Sequence, residues 1–273
     1  MGEYLSVPNR TKQTDKGEGN QLRYVAIGMQ GWRRTMEDSH IAHTDLENGV
    51  SLFGVFDGHG GQEVALWVKD NFKKELIKLQ SYKSKCYKEA LEECFLKLDE
   101  LMETPAGQRR LMELQSQSDG GFGDGKSFAG CTATVILITR TEIICANSGD
   151  SRTVLSRAGR AREMSEDHKP ENPGELSRIK RSGGFVEEGR VNGMLALSRA
   201  LGDFEYKGNS QLPPREQAVS AYPDVRIEPI DAQTQFVILA CDGIWDVKTS
   251  QESVDFLMSR LYRNNFSQRV SMQ

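Results

Sequence analysis

The sequence predicts an α+β domain of sandwiched β-sheets with α-helices on the outer faces. Three observations carry this. Short runs rich in Val, Ile and Phe, bounded by Gly, Asn and Asp, fall into two blocks. Between the blocks lie two amphipathic segments with helical spacing. Strands and helices are therefore grouped in blocks and do not alternate, which argues against a doubly wound parallel sheet.

The elements follow in chain order. Residues 1–20 read as a flexible N-terminal arm, because 7–20 are polar and rich in Lys, Asn, Thr and Gly. Residues 21–273 read as one domain. Its strand runs are Arg23–Met29, Ser39–Thr44 and Ser51–Phe56, then Thr132–Thr139, Glu142–Ala146, Thr153–Arg157 and Gln235–Ala240. In Gln62–Leu79 the apolar stripe is Val64, Ala65, Val68, Phe72, Leu76 and Leu79. In Tyr87–Met102 it is Ala90, Leu91, Cys94, Phe95, Leu98 and Leu101. Each helix has one apolar and one charged face, so each lies on something larger. Shorter helices are predicted over Pro173–Arg181 and Gln251–Tyr262. Ser116–Lys126, with its run Gly120-Gly121-Phe122-Gly123-Asp124-Gly125, reads as a mobile loop. Those glycines neither follow a strand nor open a helix, so they are no nucleotide fingerprint.

Composition excludes several function classes. Hydrophobic residues make up 37% and charged residues 27%, ordinary for a soluble globular chain. The net charge is -4, from 35 basic and 39 acidic residues well mixed along the chain, so no nucleic-acid partner is expected. No apolar run, Val135 to Ile138 among them, is long enough to span a bilayer. Five scattered cysteines form no Cys-x-x-Cys pair, which points to a reducing cytoplasm and away from structural zinc. Met1-Gly2-Glu3-Tyr4-Leu5-Ser6 fits the short N-myristoylation pattern. The competing reading is a chance match. One acyl chain would give only marginal, reversible association with a membrane.

Chemistry is concentrated in acids at the ends of strand runs. Glu37-Asp38 precede Ser39–Thr44. Asp57 ends Leu52–Phe56 and leads into Gly58-His59-Gly60-Gly61. Asp150 follows Ile143–Gly149. Asp242 follows Phe236–Cys241, with Asp246 one helical turn later. A single such Asp is commonly a turn residue. Several, with a glycine next to Asp57, Asp150 and Asp242, suggest carboxylates gathered around divalent cations, with backbone carbonyls close by. Oxygen donors select Mg²⁺, Mn²⁺ or Ca²⁺, and no pair of the four histidines has zinc-ligand spacing.

The ordered strings Met29-Gln30-Gly31-Trp32-Arg33 to Met36-Glu37-Asp38, Val55-Phe56-Asp57-Gly58-His59-Gly60-Gly61, Gly130-Cys131-Thr132-Ala133 and Asn147-Ser148-Gly149-Asp150-Ser151-Arg152 extend the pattern. So do Asp167-His168-Lys169-Pro170, Arg190-Val191-Asn192-Gly193, Leu197–Asp203 and Ala240-Cys241-Asp242-Gly243-Ile244-Trp245-Asp246. In this order, over residues 21–262, the chain resembles the metal-dependent protein serine/threonine phosphatases of the type 2C class. The resemblance implies two antiparallel β-sheets packed face to face with helices outside (α-β-β-α layers), two Mn²⁺ or Mg²⁺ ions at one edge of the sandwich and a weaker third. Asp57 matches the bridging carboxylate, and the Gly58 carbonyl, Glu37, Asp38 and Asp242 match further ligands, direct or through water. Asp150, Asp242 and Asp246 match the third site. Arg33 matches the phosphate clamp, and His59 a general acid for the leaving oxygen. Thr132 and Ser151 read as packing groups or as groups that orient ligands. Ser165–Gly184 resembles a mobile flap beside the site. The implied reaction is hydrolysis of phosphoserine and phosphothreonine in proteins by a metal-activated water, the implied partners are phosphorylated proteins, and the implied state is a monomer.

The family pattern continues with a helix, an Asp-Asn motif and a closing strand. The tail Asn264–Gln273 contains neither an Asp nor a strand run. The expectation is a domain incomplete at its C-terminus, with weakened metal binding and lowered stability. The alternative function is a catalytically impaired relative that binds phosphorylated partners.

Overall fold

The computed structural model describes residues 4–119 and 127–270. Strands β1 (Asn9–Gly19) and β2 (Leu22–Gly31) form an antiparallel hairpin. Its two-residue turn, Asn20-Gln21, has positive φ at both positions (49° and 62°), as a twisted hairpin requires. Reading 7–20 as an arm is therefore corrected. β1 is polar throughout and mostly exposed, so it carries no apolar alternation. Its order comes from the backbone ladder with β2 and from Asp15, which accepts from Tyr24 Oη (3.2 Å) and meets His40 Nε2 (3.2 Å). Gly2, the candidate acylation site, lies outside the described residues.

Strands β3 (Ser39–Glu47) and β4 (Val50–Phe56) form a second hairpin through Asn48-Gly49, followed by the short β5 (Gly58–His59). Helices α1 (Glu63–Leu76), α2 (Gln80–Lys83), α3 (Tyr87–Glu103) and α4 (Pro105–Asp119) come next. Ser116–Asp119 are thus helical and not loop, and the glycine run that follows lies outside the described residues. Then come β6 (Gly130–Cys131), β7 (Ala133–Ile138), β8 (Glu142–Ser148), β9 (Arg152–Arg157) and β10 (Arg160–Glu163). Helix α5 (Pro173–Arg181), β11 (Val186–Glu187), β12 (Arg190–Val191) and β13 (Leu201–Gly202) follow. The described chain ends with β14 (Asp224–Pro229), β15 (Thr234–Ala240), α6 (Asp242–Trp245) and α7 (Ser250–Val270), a longer helix than the Gln251–Tyr262 expected.

The main sheet has the order β14-β8-β7-β4-β3, all antiparallel; a second sheet runs β10-β9-β15. Strands β7 and β8 are buried on both faces, which is why they read as continuous apolar runs. On one face Val135, Leu137 and Ile144 pack against Val68, Phe72, Leu91, Phe95 and Leu98 of α1 and α3. Phe72 sits between Phe56 (6.1 Å) and Phe95 (5.5 Å, edge to face). On the other face Ile136, Ile143 and Cys145 meet Leu155, Val237 and Leu239 of the second sheet. Behind that sheet Val154 and Ile238 meet Trp245, Val254 and Met258 of α6 and α7. The result is the expected layering of helices, sheet, sheet, helices. Among the described residues no helix is long and apolar enough to cross a membrane.

Ile144 is fully buried in the helix-facing core. Ile144→Val removes one methyl group and is expected to cost about 0.5–1.5 kcal/mol. Urea unfolding should show this as a shifted midpoint with an unchanged slope.

Candidate active site

Register brings the first acids together. Ser39 pairs with Phe56, so Asp38, just before β3, and Asp57, just after β4, leave the sheet side by side. β15 pairs with β9, Ala240 opposite Arg152, so Cys241-Asp242 emerge beside the β8–β9 turn that carries Asp150. One carboxylate oxygen of Asp38, one of Asp57 and Cys241 Sγ lie within 4.8 Å of one another. The Cys241 thiol donates to Asp38 Oδ2 at 3.3 Å.

The local backbone is shaped for this convergence. A Cβ at position 58 would come within 2.6 Å of the Glu37 carbonyl oxygen, so only glycine lets the two segments approach. Gly149 has φ +113°, and a Cβ there would stand 2.6 Å from Thr132 Cβ. Thr132 donates its amide N–H to the Asp57 carbonyl (2.9 Å), and its hydroxyl meets Ser151 Oγ (2.7 Å). Both hydroxyls are buried and brace the strand ends that present Asp57 and Asp150. Trp245 Nε1 donates to the Ala240 carbonyl (2.7 Å), which pins the turn bearing Asp242.

The electrostatics are those of acids held too close. Burial, then the charges of Asp38, Asp242 and Asp150, push the Asp57 carboxyl up to about 9. Asp242 is also raised, by burial and by Asp150 and Asp246, against the pull of Lys169 and Arg33. Burial and the nearby Asp38 and Asp57 push the Cys241 thiol far up. Lys169 Nζ donates to Asp150 Oδ2. His168 holds that segment: its Nδ1 accepts from the Gly149 amide (3.1 Å), so Nε2 carries the hydrogen donated to Asp224 Oδ2 (3.1 Å). His59 Nε2 lies 2.7 Å from Asp203 Oδ2. Burial disfavours its charged form, but Asp203, Asp150 and Glu37 outweigh burial and raise it.

These contacts gather the acids at one edge of the sandwich. Asp57, Asp38, Asp242 and Asp150 interact directly, and Asp246 and Arg33 act on Asp242. Glu37 abuts Gly58 and accepts from Thr35 Oγ1 (2.8 Å). Arg33 is exposed, and Gln30 Nε2 donates to the Arg33 and Arg34 carbonyls (2.9 and 2.8 Å), fixing their loop. In the tightest group Cys241, not Asp242, is the third donor. Cys241, Lys169 and Asp203 carry no role in the sequence reading, although each lies in one of its strings. Their partners are 203, 19 and 144 positions away, so no local spacing marks them.

The family model described as Protein phosphatase 2C matches residues 22–273. The chain is 49% identical over 252 residues to Protein phosphatase 2C 1 of Paramecium tetraurelia, covering 92% of this chain and 82% of that one. It is 44% identical over 271 residues to Probable protein phosphatase 2C 5 of the same organism, covering 99% and 90%. A solved phosphatase from a pathogenic strain of Toxoplasma gondii superposes with a TM-score of 0.69 at 24% identity, covering 96% of this chain and 85% of that one, a likeness of fold.

Proposed function

The chain belongs to the protein phosphatase 2C family and is a protein phosphatase, and from that premise we propose that it hydrolyses phosphoserine and phosphothreonine in proteins with the help of Mn²⁺ or Mg²⁺. The convergence of Asp38, Asp57 and Cys241 donor atoms within 4.8 Å carries this reading. The site fits divalent cations. An Asp57 carboxyl pushed up to about 9 by burial and by the other carboxylates is a group that ionises at neutral pH only beside added positive charge. We assign Asp57, the Gly58 carbonyl, Glu37, Asp38 and Asp242 to two ions, and Asp150, Asp242 and Asp246 to a third. When bound, such ions supply an activated water and neutralise phosphate charge.

The chain's own groups do the rest. Arg33, exposed at the rim and close enough to act on Asp242, offers its guanidinium fork to the phosphate oxygens. His59 gives a proton to the leaving serine or threonine oxygen. Lys169 offsets charge at Asp150. Free cysteines at all five positions support work in a reducing compartment such as the cytoplasm.

The test is turnover of a phosphothreonine peptide by the purified chain with Mn²⁺ and after chelation. Activity that needs Mn²⁺ supports the proposal. No turnover with retained phosphopeptide binding would instead carry the reading of a binding protein. Arg33→Ala is expected to lower kcat/KM about 10- to 100-fold, the worth of a charge-assisted hydrogen bond. Arg33→Lys should restore only part of it, because an ammonium lacks the planar fork. Steady-state kinetics on the same peptide reads both.

A further inference from the structure

We propose that Asp203 is a positioning residue for His59: it holds Nε2 and leaves Nδ1 as the nitrogen that meets the leaving oxygen. This rests on the acid role given to His59 above. The observation behind it is a three-stranded mini-sheet, β13-β6-β5. His59 of β5 pairs with Gly130 of β6, and Gly202 of β13 pairs with the same Gly130 from the other side. His59 and Asp203 therefore arrive on opposite flanks of one residue, and their side chains meet over it, Nε2 to Oδ2 at 2.7 Å.

That meeting needs Gly130. A Cβ there would stand 2.1 Å from Asp203 Oδ2 and 2.6 Å from His59 Nε2. The Asp203 end is equally determined. Its side chain is 3% exposed. Its backbone is left-handed (φ 50°, ψ 42°), and Gly202 before it has φ +79° with the Ala129 carbonyl 2.6 Å from where a Cβ would be. A non-glycine residue in this region costs conformational energy unless its surroundings enforce it. The Asp203 amide donates to the Ala129 carbonyl (3.2 Å).

A simpler role for Asp203 would be to cap the 3₁₀ turn Phe204–Tyr206 that it precedes. Its carboxylate makes no capping bond there. Among the described residues the hydrogen-bond partner of that carboxylate is His59. A carboxylate only accepts, so the hydrogen between them sits on Nε2. In the step, the Nδ1 proton passes to the serine or threonine oxygen as the P–O bond breaks and its electron pair stays on that oxygen. The ring is left neutral with hydrogen on Nε2, and Asp203 remains a carboxylate.

Asp203→Asn keeps the shape and tolerates the left-handed backbone, but its amide offers Nε2 a donor as well as an acceptor. In the full chain with Mn²⁺, kcat on a phosphothreonine peptide is expected to fall about 10- to 100-fold, part of what a general acid supplies. Hydrolysis of p-nitrophenyl phosphate, whose leaving group departs without a proton, should fall far less. His59→Gln should show the same split, and the double variant should lose no more than His59→Gln alone. Nitrogen NMR of the metal-free wild-type chain should show neutral His59 as the Nε2–H tautomer, and Asp203→Asn should mix the tautomers. Equal losses on both substrates, additive losses in the double variant, or a wild-type Nδ1–H tautomer would each overturn the proposal. If His59→Gln shows no dependence on the leaving group, the acid role of His59 itself fails, and the tautomer spectrum alone then decides whether Asp203 orients the ring.

Discussion

Asp57→Asn is expected to reduce Mn²⁺-dependent turnover of a phosphothreonine peptide by at least about 10³-fold and, at the same time, to stabilise the metal-free protein. The first effect follows from the position of Asp57 at the centre of the acids, where Asp38, Asp242 and Asp150 all act on it. With divalent cations held as proposed, an amide there would remove one of their anionic donors. The second effect follows from the same crowding. In the folded, metal-free chain the Asp57 carboxyl sits at about 9, against an unfolded value of about 3.9. The folded state therefore holds a proton that the unfolded state releases. The stability that goes with it is fully present below about pH 4 and is lost as pH rises through about 9. Asparagine has no such proton. Melting temperatures in chelator should thus show the variant's advantage over wild type growing from pH 5 to pH 9. Added Mn²⁺ should reverse the order, because it binds the ionised wild-type site and stabilises that state by mass action. Parallel melting curves across this pH range in chelator would sink the account of Asp57 as a carboxyl whose charged form is destabilised by burial and by its neighbours.

The parts of this site that were legible in the sequence are those set by local pattern. Val135–Ile138 reads as a strand because both its faces pack into cores, and Val237–Leu239 because both its faces are half-buried, one against the main sheet and one against α6 and α7. Asn48-Gly49 between two apolar runs is the signal of a tight hairpin, and that hairpin alone sets Asp38 beside Asp57. Helix α4 escaped the apolar pattern because Leu111 and Leu114 stand among Gln, Ser and Arg. A capping signal is nevertheless present, since Thr104 Oγ1 accepts from the Gly107 amide (3.1 Å) ahead of Pro105 at the first turn. β2 was found from its apolar residues, yet Val25, Ile27 and Met29 point outward and Tyr24, Ala26 and Gly28 face the body, so the periodicity located the strand and not its buried face. What no local pattern reveals is the stacking of one sheet on another. That stacking puts Cys241 against Asp38, and the crossing of three short strands puts Asp203 against His59.

The largest stability loss is expected at Glu175, which does not touch the acidic cluster. Glu175 is buried in α5. Its carboxylate accepts from Arg178 Nη1 (2.6 Å), Arg199 Nη2 (2.7 Å) and Ser198 Oγ (2.6 Å). Arg178 also donates to the Gln217 carbonyl (3.0 Å), and Arg199 to the Tyr222 carbonyl (3.1 Å) and Asp224 (2.8 Å). Burial works against the charged carboxylate, but the two arginines and Ser198 outweigh it and hold Glu175 at about 2. Glu175→Gln keeps the shape and leaves the buried Arg178 and the largely buried Arg199 short of their counter-charge. The expected cost is about 3–5 kcal/mol. The folded value is lowered, so the contribution is present above the unfolded value near 4.3 and is lost as pH falls toward 2. In urea unfolding, the gap between wild type and variant should hold from pH 7 to about pH 4.5 and narrow below it. A gap that is absent, or constant into acid, would show that the arginines are compensated elsewhere. Activity should suffer too. Arg199 links Glu175 to Asp224, Asp224 holds His168, and His168 accepts from the Gly149 amide next to Asp150. Loosening α5 therefore loosens the turn that presents one of the site's carboxylates, at a distance no direct contact with substrate would explain.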